Sequence, residues 1–134
     1  MYWKWVQLYR PKGEKVHMLA VIDGSVMRNI ICTSKWCTQK HWLAPLTPSK
    51  VTLSVMDNHP IASEGRWMGT ISVAEVETTQ EFEVFNSNGV FQIILGKPWL
   101  SHVQAVHEYG TDLITIQKGG QTATFGNEEA SWAQ

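Results

Sequence analysis

Asp23 is the side chain best placed to carry out chemistry, because it follows five consecutive apolar residues, Met18 to Ile22. An apolar run of this length with β-branched members, closed by turn residues, predicts a strand buried on both faces. A carboxylate at the end of such a strand is partly removed from water, which makes its charged form costly. The alternative is an aspartate that begins a turn and hydrogen-bonds its own backbone. The run by itself leaves both interpretations open.

Cys32, Cys37 and His41 are the residues that a metal ion could use. A structural zinc site takes four ligands at characteristic spacings, and a fourth ligand is missing here. Two cysteines are also too few for a disulfide framework. We therefore expect no metal site and no cofactor, and we expect both thiols to lie in a reducing compartment.

The composition excludes several classes of protein. Of the 134 residues, 43% are apolar, which is typical of one globular domain and argues against disorder. The 11 basic and 12 acidic residues give a net charge of -1, so the chain lacks the excess of positive charge that binds nucleic acid or an anionic membrane. The N-terminus lacks the apolar core of a secretory signal, and no run approaches the ~20 apolar residues of a membrane span. We expect a cytoplasmic protein with no nucleic-acid or membrane partner.

The elements that must position Asp23 are short strands separated by turn residues. The pattern predicts strands at 2–10, 15–22, 50–56, 61–76, 79–85, 90–95, 113–117 and 121–125. Gly65 and Gly69 indicate bulges within the long strand at 61–76. Asn88-Gly89 is the strongest hairpin signal, since it supplies the positive φ that a type I′ turn needs.

Two helices are predicted among these strands. Ser34 is a cap for a short helix that runs through Trp42. Pro98 opens a second helix, whose apolar stripe is Trp99, Leu100, Val103 and Val106. Many short strands with one or two short helices predict an all-β domain, a small barrel or folded sandwich. We expect a single domain over 1–134, with a core at about 15–125 and a frayed tail at 127–134.

Two stretches, taken together, indicate a family. Ala20–Ser25 reads AVIDGS, and Ile93–Leu100 reads IILGKPWL. The pair resembles the retropepsin-like aspartic proteases of long-terminal-repeat retrotransposons. There a strand ends in an Asp-Ser/Thr-Gly loop, and an Ile-Leu-Gly-x-x-Trp-Leu segment opens the single well-formed helix. The resemblance covers about residues 15–125 and is strongest to divergent members in mushroom-forming fungi, which often carry Asp-Gly in this loop.

The resemblance implies a closed acid-protease barrel with one short C-terminal helix, and an endopeptidase that cuts a peptide or polyprotein. Asp23 is the implied catalytic residue, Gly24 and Ser25 complete its loop, and Gly96 supports the loop. The implied flap over the substrate consists of Asp57, Asn58, His59 and Pro60. Aspartic proteolysis needs two carboxylates, one acting as base on a water and the other as acid. Since this chain offers one such aspartate, a homodimer is implied, with the second aspartate supplied by an identical chain.

The active-site loop departs from the family pattern, because Gly24 and Ser25 stand in the reverse order. In the family, the hydroxyl after the aspartate braces the two loops across the dimer axis, and the following glycine lets the carboxylates approach backbone N–H groups. Two functions therefore stay open, an active dimeric endopeptidase and a catalytically impaired protease-like domain that serves in dimerisation or peptide binding. A third alternative is an unrelated β-barrel binding domain.

Overall fold

The computed structural model describes residues 1–9, 13–32, 46–54, 60–86 and 91–128. Within these ranges the chain forms short strands and one short helix, α1 (Lys97–His102). The strands are β1 (Tyr2–Tyr9), β2 (Lys15–Ile22), β3 (Ile30–Cys32), β4 (Thr52–Ser54), β5 (Pro60–Ala62), β6 (Arg66–Val73), β7 (Val76–Phe85), β8 (Ile93–Leu95), β9 (Val106–Glu108), β10 (Leu113–Lys118) and β11 (Gln121–Gly126). No helix in the described part of the chain is long and apolar enough to cross a membrane.

Six strands close into a barrel in the order β1-β2-β8-β3-β7-β6, and the β1–β6 pair completes the ring. The β1–β2 hairpin pairs along its full length, from Tyr2 opposite Ile22 to Tyr9 opposite Lys15. β2 and β8 run parallel, so their carboxyl ends meet at the same edge of the barrel. The predicted all-β closed barrel with one short C-terminal helix is confirmed.

The apolar run of β2 is continuous because both of its faces are covered. Met18, Ala20 and Ile22 point into the main core of the barrel. Leu19 and Val21 point the other way, into a smaller cluster that includes Trp3. Each fully buried aliphatic side chain contributes roughly 1.5–3 kcal/mol, so the run stabilises the strand that carries Asp23.

β9, β10 and β11 form a separate three-stranded sheet that packs beside the barrel. The first two residues of the predicted frayed tail are held to β1. The Asn127 side chain accepts a hydrogen bond from the Trp3 amide at 3.0 Å, and the Glu128 amide donates to the Trp3 carbonyl at 2.8 Å. Lys4 pairs with the Glu128 carboxylate at 2.7 Å. The remainder of the predicted tail, 129–134, lies outside the described residues.

The long strand predicted at 61–76 is wrong, because the chain forms β5 and β6 with a break between them. Gly65 lies in the break at φ +151°, a conformation that residues with a Cβ rarely adopt. The bulge predicted at Gly69 is also wrong, since β6 and β7 pair without interruption. Gly69 instead makes room for an aromatic ring, because a Cβ there would lie 2.1 Å from the Trp67 indole.

α1 is shorter than the apolar stripe predicted. Trp99 and Val103 are buried as expected, and the proline lies in the first turn. Gln104 then takes a left-handed φ of 47°, which ends the helix. Val106 therefore falls on β9, where it is 65% exposed, and its place in a helical stripe is wrong. The other predicted helix, at 34–42, and the Asn88-Gly89 turn lie outside the described residues.

Candidate active site

Asp23 stands directly after β2, at the edge where β2 and β8 end together. Its amide donates a hydrogen bond to the Leu95 carbonyl at 3.1 Å, so the aspartate is joined to the last residue of β8. The side chain is half-buried. The expected proximity of Asp23 to Leu95, Gly96 and the following helix is confirmed, since the parallel pairing brings the two sequence stretches together.

Ser25 caps one oxygen of the Asp23 carboxylate. Its amide donates to Oδ1 at 2.9 Å and its hydroxyl donates to the same oxygen at 2.7 Å. Oδ2 has no hydrogen-bond partner among the described residues. Ser25 therefore occupies Oδ1, while Oδ2 is left to accept a hydrogen bond from a water or from another carboxyl group.

Gly24 is not required by the shape of the loop. A Cβ at this position would meet Cδ1 of Leu100 at 3.7 Å, which is ordinary van der Waals contact, and its φ lies outside the left-handed region. A serine therefore fits at position 24 without displacing α1. The loop can be exchanged for the Ser-Gly order of the family with little steric cost.

Gly96 lies beneath the loop and is needed for its close approach. A Cβ at Gly96 would stand 2.5 Å from the carbonyl oxygens of both Val26 and Arg28. The Lys97 amide donates to the same Val26 carbonyl at 2.8 Å. The start of α1 and the loop after Asp23 are thus in direct backbone contact, while the supporting role of Gly96 stays a prediction.

Asn29 fastens this loop from inside the barrel, and it is only 1% exposed. Its Oδ1 accepts from the Gly96 amide at 3.0 Å. Its Nδ2 donates to the Gln80 side-chain oxygen at 3.1 Å and to the Glu81 carbonyl at 3.2 Å. A backbone amide can only donate and a carbonyl can only accept, so the orientation of the Asn29 amide is set by the backbone.

The orientation of the Asn29 amide also fixes the orientations of the Gln80 side chain and of His102 on α1. Gln80 must present its oxygen to Asn29, so its nitrogen faces His102, 2.7 Å from Nδ1. Nδ1 of His102 is then the acceptor, which places the ring proton on Nε2. A chain of hydrogen bonds therefore links the surface of α1 to the amide of Gly96.

A cavity of about 370 Å³ opens beside the Asp23 loop. It is lined by Ser25, Val26, Met27, Arg28, Ile30, Val51, Thr52 and Phe85. A larger cavity, of about 430 Å³, lies on the outside of the β1–β2 hairpin and shares no lining residue with the first. We assign the candidate site to the smaller cavity because it adjoins the half-buried carboxylate.

β4 and β5 form a two-stranded antiparallel hairpin, with Thr52 opposite Ala62 and Ser54 opposite Pro60. Thr52 also lines the cavity beside the Asp23 loop. Of the predicted flap, Pro60 is the first residue of β5. Asp57, Asn58 and His59 lie outside the described residues.

Glu83 is a buried carboxylate on β7, 3% exposed. Ser63 donates to its Oε2 at 2.7 Å and Arg66 donates to its Oε1 at 2.9 Å. Burial, the largest influence, raises the pKa of Glu83, but hydrogen bonds from Ser63, Ser49 and Arg66 and the charge of the guanidinium outweigh it and lower the pKa overall. The stability that this ionised group contributes is present above about pH 4.3, the ordinary glutamate pKa, and is lost as the pH falls through the lower folded value.

In the described part of the chain, no group of three or more His, Cys, Asp or Glu side chains could hold a metal ion. Cys32 is buried in β3, while Cys37 and His41 lie outside the described residues.

Asn29, Gln80 and Glu83 are the residues of this region that the sequence patterns missed. Gln80 occupies an inward position in the alternation of β7, and Glu83 interrupts the apolar run from Phe82 to Phe85. A polar residue on the inward phase of a strand is a usable signal, because such a group must find a hydrogen-bond partner inside.

No protein-family model matches the chain, and no curated protein matches it significantly. Among solved structures, the chain is similar to the retroviral protease-like domain of Ddi1 from Leishmania major. The two share 16% sequence identity at a TM-score of 0.58, over 93% of this chain and 95% of that chain. The chain therefore has a retropepsin-like fold.

Proposed function

We propose that this protein is a homodimeric aspartic endopeptidase in which Asp23 of each chain forms half of a catalytic dyad. The observation that carries the proposal is the carboxylate at the end of buried β2, with Oδ1 bonded to the Ser25 amide and Oδ2 without a described partner, beside an open cavity. The retropepsin-like fold supports it. The motif around Ile93–Leu100 further supports a retrotransposon origin of the fungal type.

The chemistry requires the second chain. Two carboxylates across a two-fold axis cannot both ionise readily, so they share one proton. The ionised member removes a proton from a water that attacks the peptide carbonyl, and the protonated member donates to that carbonyl oxygen. The substrate is an extended peptide or polyprotein segment, which the edge of the β4–β5 hairpin would bind through main-chain hydrogen bonds.

Asp23→Asn should reduce peptide cleavage by roughly 10²–10⁴-fold or more, because it keeps the shape of the side chain and removes the proton transfer. The measurement is a peptide-library digest between about pH 4 and 7, where a shared-proton pair gives a bell-shaped profile on the acid side. Glu108→Gln, on exposed β9, is the matched control and should cleave like the wild type. Equal residual cleavage in the wild type and Asp23→Asn would show contamination and overturn the proposal.

One observation favours a second function, a catalytically impaired module for dimerisation or peptide binding. The Ser25 hydroxyl donates to Asp23 of its own chain at 2.7 Å, whereas the resemblance assigns the loop hydroxyl to bracing the two chains. The double exchange Gly24→Ser with Ser25→Gly separates the two functions. Higher cleavage after the exchange would indicate that the reversed order is a lesion, and lower cleavage would indicate a working variant.

A further inference from the structure

The β4–β5 hairpin belongs to a different sheet from the barrel, and the backbone hydrogen bonds that join the two lie outside β4 and β5. The Glu64 amide donates to the Val84 carbonyl at 2.8 Å, and the Val84 amide donates to the Gly65 carbonyl at 2.9 Å. Both bonds lie after β5, at one leg of the hairpin. The leg that enters β4 is joined to the barrel at Thr47, which exchanges two backbone hydrogen bonds of 2.8 Å with Arg66.

Glu83 contacts the base of the hairpin. Ser49 lies three residues before β4 and Ser63 directly follows β5, and both hydroxyls hydrogen-bond the Glu83 carboxylate. The Ser49 oxygen also accepts from the Val51 amide at 3.2 Å, which orients its hydroxyl. One buried carboxylate on the barrel therefore holds the base of the hairpin.

Burying an ionised carboxylate at position 83 of β7 costs free energy. Its neighbours Phe82, Val84 and Phe85 are apolar and fully buried, and an ionised group among them must be compensated to be tolerated. Replacing a buried ion pair by apolar residues is often neutral or stabilising, so packing alone does not explain Glu83. Glu83 instead contributes hydrogen bonds of defined direction, and these bonds fix the geometry of the hairpin.

The hairpin and the Asp23 loop share a cavity. Val51 and Thr52 from the hairpin line it together with Ser25–Arg28, and Phe85, two residues after Glu83 on β7, completes the same wall. Any tilt of the hairpin about its base changes the width of this cavity. The group that fixes the base therefore controls how a peptide is held beside Asp23.

We propose that Glu83 is a positioning residue that fixes the base of the β4–β5 hairpin through Ser63 and Arg66 and so sets the width of the peptide cleft. The identity of the occupant as a peptide rests on the proposed function. The clamp itself rests on the contacts of Glu83 with Ser63 and Arg66.

The test is amide hydrogen exchange on Glu83→Gln, which keeps the shape of the side chain and removes its charge. Loss of charge-assisted hydrogen bonds should speed exchange of the Ser63 amide, bonded to the Val51 carbonyl, by roughly tenfold. Exchange at Ile71 in the barrel should be unchanged. Glu81→Gln is the matched control, since Glu81 lies two residues away on β7, is exposed and also acts on Arg66.

Unchanged exchange at Ser63 in Glu83→Gln would overturn the clamp, and so would an equal acceleration at Ser63 and Ile71, which would make Glu83 a general stability residue. If Glu83→Gln does not fold, Ser63→Ala removes the hydroxyl contact with Glu83 alone and is judged by the same two amides. These results do not depend on catalysis, so failure of the protease assay leaves them interpretable. If peptides are cleaved, Glu83→Gln should raise KM for the best-cleaved library peptide while kcat stays near that of the wild type.

Discussion

Gly96→Ala should destabilise the protein by at least about 3 kcal/mol and remove any function that depends on the Asp23 loop. The added Cβ would stand 2.5 Å from two backbone oxygens, those of Val26 and Arg28. Backbone atoms cannot rotate away as a flexible side chain can, so either the loop or the start of α1 must move. The φ of -99° at Gly96 suits any residue, and the expected loss therefore comes from contact and not from backbone strain.

Denaturant unfolding of Gly96→Ala and Gly110→Ala measures this effect with a matched control. A Cβ at Gly110 meets nothing within 4 Å, and its φ is not left-handed. Gly110→Ala should therefore change the free energy of unfolding by no more than about 0.5 kcal/mol. Similar stabilities for the two variants would contradict the close packing of the loop on Gly96.

Asn29→Ala should cost roughly 2–4 kcal/mol, the second largest effect we expect. The substitution leaves the Gly96 amide, the Gln80 side-chain oxygen and the Glu81 carbonyl without their partner in a buried place. A buried polar group without a hydrogen bond costs more than the bond itself contributes. The loss should also loosen the loop, since Asn29 is the side chain that holds the Gly96 amide.

Thermal or denaturant unfolding of Asn29→Ala tests the network, with Gln121→Ala as the control. Gln121 is an exposed amide at the start of β11, and its removal should change stability by less than about 0.5 kcal/mol. Asn29→Asp keeps the acceptor for Gly96 but sets an oxygen against the Gln80 and Glu81 oxygens, so it should also be destabilised at neutral pH. A wild-type stability for Asn29→Asp would show that the assigned orientation of Asn29 is wrong.

Apolar patterning predicted the strands whose faces are uniformly covered. β2 matches its predicted bounds, because the run from Met18 to Ile22 can be satisfied only by burial on both faces. The junction between Asp23 and Leu95 was also predictable, through the resemblance of the two stretches that carry them. Parallel pairing of β2 with β8 then brings the two together without any further signal.

The patterns failed where a backbone conformation ended an apolar run. The β6–β7 hairpin turns at Ala74 and Glu75, which have φ values of 48° and 71°, although neither is the glycine or asparagine that such a turn favours. The helix stripe failed in the same way at Gln104. In each case the residue that takes the left-handed conformation is not of a type that favours it, so its type gave no signal for the turn.

The polar side chains that hold the site in place could not be predicted from the sequence, for a different reason. Asn29 finds Gln80 and Gly96 across separations of 51 and 67 residues. Hydrophobic periodicity says that a position faces inward but does not name its polar partner. Glu83 was likewise visible as an acid within an apolar run, but its contacts with Ser63 and Arg66 at the base of the β4–β5 hairpin depend on the barrel closing.

The central claim is that two Asp23 carboxylates meet across a two-fold axis, and a crystal structure of the protein grown near pH 5 tests it most directly. The account predicts a symmetric dimer in which an oxygen of one Asp23 lies within about 3.2 Å of an oxygen of the other, close enough to share a proton. Sedimentation should then give roughly twice the 15.2 kDa chain mass. A dimer that places the two carboxylates far apart, or a chain that stays monomeric at high concentration with Asp23 facing solvent, would contradict the account.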